Sequence, residues 1–412
     1  MIRRIGLGIC CMGLTTITLA IAAPSGGRLS PDRLIAHEWG TFTTVAGEDG
    51  RAVEWLPLNG PTDLPCFVEH YKNSNNVKIL PTEDVRLIDY ETARSRLWGK
   101  VRMETPVLYF YGPKESNVHV KVRFPHGVIT EWYPHATSSQ LGITPTVLRH
   151  PQFETFLEWP TITLGTPANE RYPTESGKSH YYAARETEAT SLRVGTQTEK
   201  FLFYRGVANF DVPVAARPNK NGDIEVTNLG SETIPNVVLF ERRGSTFGYR
   251  VGGLLTRSTT LAAPQQNASL ESLRADLEKM LIGAGLFPRE AAAMLETWRD
   301  SWFEDGTRVF YIIPPRAVDA ILPLTVNPTP ASMARVFVGR MEVLTQNVQQ
   351  TVESAIARND AATLERYARF LGPISDRLLA KPGISPSSVS ATKSATAAAY
   401  TSYVRRSSTV CE

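Results

Sequence analysis

From about residue 33 to 255 the apolar residues recur at every second position, a period that dictates strands rather than helices. Val118, Val120, Val122 and Phe124 alternate with His119, Lys121 and Arg123, which gives a strand with one buried and one wet face. Val107 to Tyr111 is apolar on both faces, as is the run around Phe201 to Tyr204, so both read as strands inside a core. Val212-Pro213-Val214 and Ile224-Glu225-Val226 flank a segment containing Asn221-Gly222, a strong hairpin signal. A further strand is expected at Val237 to Glu241. Short strands broken by Gly, Pro and Asn turns predict an antiparallel β-rich sandwich or a distorted barrel. By fold analogy, the strands within 200–245 look immunoglobulin-like.

Near Ala262-Ala263-Pro264 the spacing changes to that of helices. Ser269 can cap a helix with Leu270, Leu273, Leu277 and Leu281 on one face, ended by Gly283 and Gly285. Pro288 can open the next, which runs through Met294, Leu295, Trp298 and Trp302. A strand at Arg308 to Ile313 follows Gly306, then more helix from about Ser332 to Arg358 and from Ala361 to Phe370. Beyond Lys381 the chain is rich in Ser, Thr and Ala and reads as a loose tail. The expected class is therefore α+β: a β-rich domain at 23–262, a mostly helical region at 263–380 and a tail at 381–412.

Residues 1–22 read as a secretory signal peptide. Arg3 and Arg4 precede the apolar run Ile5 to Ile21, and Ala20-Ile21-Ala22 offers a small-x-small cleavage site. An uncleaved anchor is the alternative, because the apolar run approaches the length of a bilayer span. Cleavage removes Cys10 and Cys11 and leaves Cys66 and Cys411, which an oxidising compartment allows to pair. Cleavage also leaves 42 Lys+Arg against 41 Asp+Glu, with no basic block. The electrostatic footprint of a nucleic-acid binder is missing. No second long apolar run follows, so no membrane span is expected after cleavage. The expected location is outside the cytoplasm, periplasmic or secreted.

Candidate chemistry is concentrated in the β-rich half, which holds all seven histidines. His37-Glu38 invites comparison with the zinc-protease motif His-Glu-x-x-His, but Thr41 stands where the second histidine belongs. A histidine-carboxylate site from His37, Glu38 and His180 would suit zinc or another transition ion. On a strand, however, His37 shares a face with Trp39 while Glu38 points the other way, and a satisfied structural histidine is the default. Glu104, at the mouth of the run Val107 to Tyr111, and Glu131 form a candidate acid/base pair for a glycosidic bond. Both residue types are also ordinary at strand ends and turns. Trp39, Tyr133 and Arg185 are candidate ligand contacts, Arg185 for an anion. Trp298 and Trp302, four residues apart, read more readily as packing than as a sugar platform. The chain lacks a Gly-x-Ser-x-Gly elbow, a phosphate loop, a dinucleotide fingerprint and an EF-hand loop.

The strings His37 to Thr43, Met103 to Tyr111, Thr130 to Pro134 and Thr297 to Phe303 together resemble a family of uncharacterised exported bacterial proteins. That resemblance implies that the β-rich and helical regions form one unit, and it implies no activity or cofactor. Two functions are expected. One is an exported cell-envelope protein that binds a small molecule, glycan or envelope protein through its β-rich domain. The other is a hydrolase with a histidine-carboxylate site, metal-assisted or not, acting on a glycan, peptide or ester.

Overall fold

In the computed structural model, which describes residues 33–61, 63–72, 90–139, 142–165, 171–176 and 179–408, the strand Ile35–Val45 lies near the middle of a nine-stranded sheet. All of its residues but Ile35 are buried. It pairs antiparallel with Val101–Tyr111 and parallel with Ser332–Glu342. A parallel neighbour requires a long crossover, and here residues 46–331 lie between the two strands. On the far side of Val101–Tyr111 the sheet continues through Leu202–Ala208, Gly127–Tyr133 and the short strand Glu69–His70. On the far side of Ser332–Glu342 it continues through Gly306–Ile312, Ile234–Arg243 and the edge strand Thr246–Leu255.

Both faces of this sheet are covered, which explains its near-continuous apolar runs. One face packs on a second sheet built around Asn117–Pro125 and Glu154–Leu164. There Val120, Val122, Phe124 and Trp159 meet Phe42, Phe110 and Tyr204 in one core. The other face carries the helices Leu270–Gly283 and Pro288–Thr297, whose Leu273, Leu277, Leu281 and Met294 pack on Trp39, Tyr109 and Phe310. The Ser269 hydroxyl caps the first helix by accepting from the Ser272 N–H. Leu270 is exposed, so the apolar stripe begins at Leu273. The architecture is α+β with open, largely antiparallel sheets and a helical C-terminal region.

The strands expected within 200–245 divide between sheets. Val214–Pro218 and Ile224–Asn228 join Ser258–Leu261 in a separate three-stranded sheet, while Ile234–Arg243 enters the large one. Two expectations for the C-terminal half are corrected. The segment expected to be helical from Ser332 is the strand Ser332–Glu342, and helix begins only at Gln346. Its Val336, Phe337, Val338 and Met341 are buried on both faces, so helical spacing and a two-faced strand look alike in sequence. The loose tail is instead a 22-residue helix, Pro386–Ser407, lying against the helices Gln346–Arg358, Ala361–Arg366 and Leu371–Leu379. These helices enclose a third core with Trp55, Leu364, Phe370 and Ile374. Strands from both halves thus share one sheet, and Pro31–Glu412 forms one unit.

No helix of the described residues is long and apolar enough to cross a membrane. The expected signal peptide and cleavage site, with Cys10, Cys11 and Cys411, lie outside the described residues. Cys66 is disulfide-bonded.

Candidate functional site

Four adjacent strands lose their regular register at the three seams between them. Ile35–Val45 shifts against Val101–Tyr111 between Trp39 and Thr41. Leu202–Ala208 shifts against Val101–Tyr111 between Phe203 and Gly206, and against Gly127–Tyr133 between Arg205 and Gly206. At the centre Thr105 has φ 43°, a left-handed conformation that is rare for a β-branched residue. Gly206 sits opposite, where a Cβ would come within 2.3 Å of the Val128 carbonyl oxygen. Bulges and stored strain of this kind re-aim side chains and cluster near functional sites.

Beside this irregularity lies a cleft of about 400 Å³. Asp63, Arg102, Glu104, Thr105 and Arg205 line it from the β side, and Ser301, Glu304, Arg369 and Tyr403 from the C-terminal half. Glu104 is almost fully buried. Its Oε1 lies 2.8 Å from Arg369 Nη1 and 3.0 Å from Arg102 Nε, and its Oε2 accepts from the Thr43 hydroxyl at 3.1 Å. Burial alone would push the Glu104 carboxyl up, but Arg369, Arg102, Arg340 and Arg205 outweigh it and hold the group below its ordinary range. Asp63 accepts from Arg205 Nη1 at 2.8 Å, and that guanidinium likewise overcomes burial and holds the carboxyl low. Arg340 is fully buried next to the site. Burial, followed by repulsion from Arg308, pulls it down to about 10.

Of the residues expected to form a site, Glu104 and His180 line this cleft together. His180 Nε2 lies 2.8 Å from Asp300 Oδ2. Glu131 stands just outside. It is the register partner of Arg205 on the next strand, and it accepts from the Tyr90 hydroxyl at 2.7 Å and from Thr130. Glu104 is thus held by arginines and a threonine, and Glu131 by a tyrosine and a threonine.

The remaining candidates have partners of their own. His37 Nδ1 bonds Glu290 Oε2 on the helical side of the sheet. Glu38 points to the opposite face, where it accepts from Arg335 Nε at 2.7 Å and from the Tyr204 hydroxyl. The period of two separates this pair, so His37, Glu38 and His180 do not form a common ligand set. Among the described residues, no group of three or more His, Cys, Asp or Glu side chains could hold a metal ion. Trp39 is fully buried beside Tyr109, and Tyr133 packs edge-on against Phe67. Arg185 binds Glu199 at 2.6 Å and lies over the rings of Tyr172, Tyr181 and Tyr182, so its anion is an internal carboxylate.

Sequence reasoning missed Asp63, Arg102, Thr105, Arg205 and Arg369. A usable signal existed for two of them. Arg102 and Arg205 interrupt otherwise apolar, two-faced strands, and a buried arginine there needs partners. Trp298, read as packing, also lines the cleft together with Ser301, while Trp302 is pure core against Phe310. A second, more open cleft of about 640 Å³ near Glu241 and Gln346 contains none of the expected residues. No family model matches the chain, and no curated protein matches it.

Proposed function

We propose that this chain is an exported cell-envelope protein that binds a small polar ligand in the cleft between Glu104 and Ser301. The observation that carries this reading is the coincidence of register shifts at three neighbouring strand seams, a strained Thr105 and a cleft lined by buried, paired ions. A purely structural sheet gains nothing from burying Arg102, Glu104 and Arg205 together, because such groups stabilise less than apolar ones of equal volume. Export is supported by the signal-like residues 1–22 and by the disulfide at Cys66. The test is a thermal-shift screen of purified protein against polar metabolites and short glycans. Saturable stabilisers should appear, and their effect should vanish in Ser301→Trp, which fills the cleft. A screen with no hits, or hits unchanged in Ser301→Trp, would sink the reading.

One observation favours a second reading, a hydrolase of glycans, peptides or esters. His180 and Asp300 form a close pair at the rim of the same cleft, beside Ser301. In this reading His180 is the base, and Glu104 is not the acid, because its arginines keep it ionised. Turnover of a chromogenic ester or glycoside, abolished in His180→Ala, would establish it. Equal turnover in wild type and His180→Ala would remove it.

A further inference from the structure

The residues around the cleft differ in what they still lack. Six buried polar atoms on lining residues have no well-formed hydrogen bond among the described residues: Arg102 Nε, Arg205 Nε, Arg369 Nε, Trp298 Nε1, Thr105 Oγ1 and Ser301 Oγ. Arg102 Nε and Arg369 Nε keep ion-pair contacts, at 3.0 Å to Glu104 and 3.3 Å to Glu304, in poor hydrogen-bond geometry. The four nitrogens can only donate, and both hydroxyls can donate. No buried carboxylate oxygen of a lining residue is among them. The acids that line the cleft are already engaged. Glu104 accepts from Arg369 and Thr43, Asp63 from Arg205, Glu304 from Arg340 and Glu365 from Arg406, while Asp300 pairs with His180.

A surplus of donors beside satisfied acceptors selects a ligand rich in acceptors. We propose that the cleft binds the oxyanion group of a small molecule, a phosphate or a carboxylate, between Arg102, Arg205, Thr105 and Ser301. This rests on the ligand-binding reading above and adds the class of ligand. Guanidinium groups suit the task, because their planar fork matches both oxyanions and holds its charge at any physiological pH. The electrostatics point the same way. That holds at Arg102, where burial, then repulsion from Arg369 and Arg205, weakens the grip on its proton despite Glu104. At Arg205 and Arg369, by contrast, neighbouring acids outweigh burial and hold those protons more tightly. A cationic ligand would meet acids that are already paired, and a neutral sugar would leave the repulsions in place.

Isothermal titration of the purified protein with inorganic phosphate, citrate, glucose and spermidine at fixed ionic strength tests the proposal. Phosphate or citrate should bind saturably, and whichever binds tells the two oxyanions apart. Thr105→Gly and Ser301→Ala should each weaken that binding about tenfold or more, the loss typical of a hydrogen bond to a charged group. Both variants should fold, since glycine adopts φ 43° without strain and alanine fits where serine stood. Their thermal midpoints without ligand check this. Absence of binding by either anion, or anion binding unchanged in both variants, overturns the oxyanion class. Glucose or spermidine binding that is lost in Ser301→Trp would overturn that class while leaving the ligand-binding reading intact. If no probe binds and the metabolite screen is also empty, both fail.

Discussion

His37 Nδ1 sits 2.8 Å from Glu290 Oε2, a bond that ties the central strand to the start of a helix 253 residues further on. Glu290 is wholly buried and fully engaged. Its Oε1 accepts from the Tyr111 hydroxyl at 2.7 Å, and its Oε2 also accepts from the Phe287 N–H at 2.7 Å. That last bond caps the helix Pro288–Thr297, whose dipole favours a negative charge at this end. A histidine that looked like a metal ligand is therefore a fastener between layers.

Replacing Glu290 with Ala should remove every one of these bonds and leave the His37 ring and the Tyr111 hydroxyl buried without a partner. Losing one side of a buried polar network costs about 3–5 kcal/mol, so urea denaturation should show a large drop in midpoint. His37→Ala should also destabilise, by about 1–3 kcal/mol, the cost of stranding a buried polar group. EDTA should leave the wild-type midpoint unchanged. A midpoint that falls with EDTA and recovers with zinc would instead place a metal at His37.

The charged layer beside the cleft should make stability depend on acid. Glu104 and Asp63 are held below their ordinary values of 4.5 and 3.8, so the folded state releases their protons more readily than the unfolded chain. Their stabilisation is fully present above those values and is lost as the pH falls below them. Urea midpoints should therefore decline with acid below about pH 4.5, the Glu reference value. Glu104→Gln should lower the midpoint near neutral pH and flatten the decline. A parallel decline in the variant would show that Glu104 does not contribute to it.

How much of this was legible depends on the kind of feature. The alternation Val118 to Phe124 and the leucine stripe of Leu273, Leu277 and Leu281 are local, and each predicted its element. Ser332–Glu342 was not legible, because its neighbours are Ile35–Val45 and Gly306–Ile312, and pairing with distant strands overrode the helical reading. The terminal helix hid behind its composition. Serine, threonine and alanine give little hydrophobic signal, and Ala399 finds its core only in the tertiary structure. The cleft was half legible. Glu104 and His180 stood out as polar residues in apolar settings, but Asp63 and Arg369 reach the site from segments with no distinguishing pattern.

Arg185 offers a test of geometry rather than charge. Its Nη2 and Nε both reach Glu199, its Nη2 also donates to the Pro173 carbonyl, and three tyrosine rings surround it. Lysine keeps the charge but cannot make the fork or stack flat on a ring. Arg185→Lys should consequently destabilise the fold by about 2–4 kcal/mol, approaching the cost of breaking a buried pair. A lysine variant within experimental error of wild type in urea would show that charge alone suffices here.

The helix Pro386–Ser407 makes the sharpest contrast with its composition. Ala399 is 3% exposed in a core with Leu364, Tyr367 and Ile374, and the Thr396 and Ser375 hydroxyls meet at 2.6 Å. Truncation before Pro386 would be a poor test, because it also deletes Cys411 and so mixes loss of packing with loss of a cysteine. A single buried charge isolates the packing. Ala399→Asp places a carboxylate among apolar side chains, and the strain must be met by undocking the helix or by protonating the acid. The expected result is a loss of about 2–4 kcal/mol, partly regained below pH 5 as the new carboxyl takes up a proton. Amide exchange across 386–407 should accelerate in the variant. Ala398→Asp, a change at an exposed neighbour on the same helix, should move neither quantity appreciably. If both substitutions behave alike, the helix does not rest on its neighbours through Ala399.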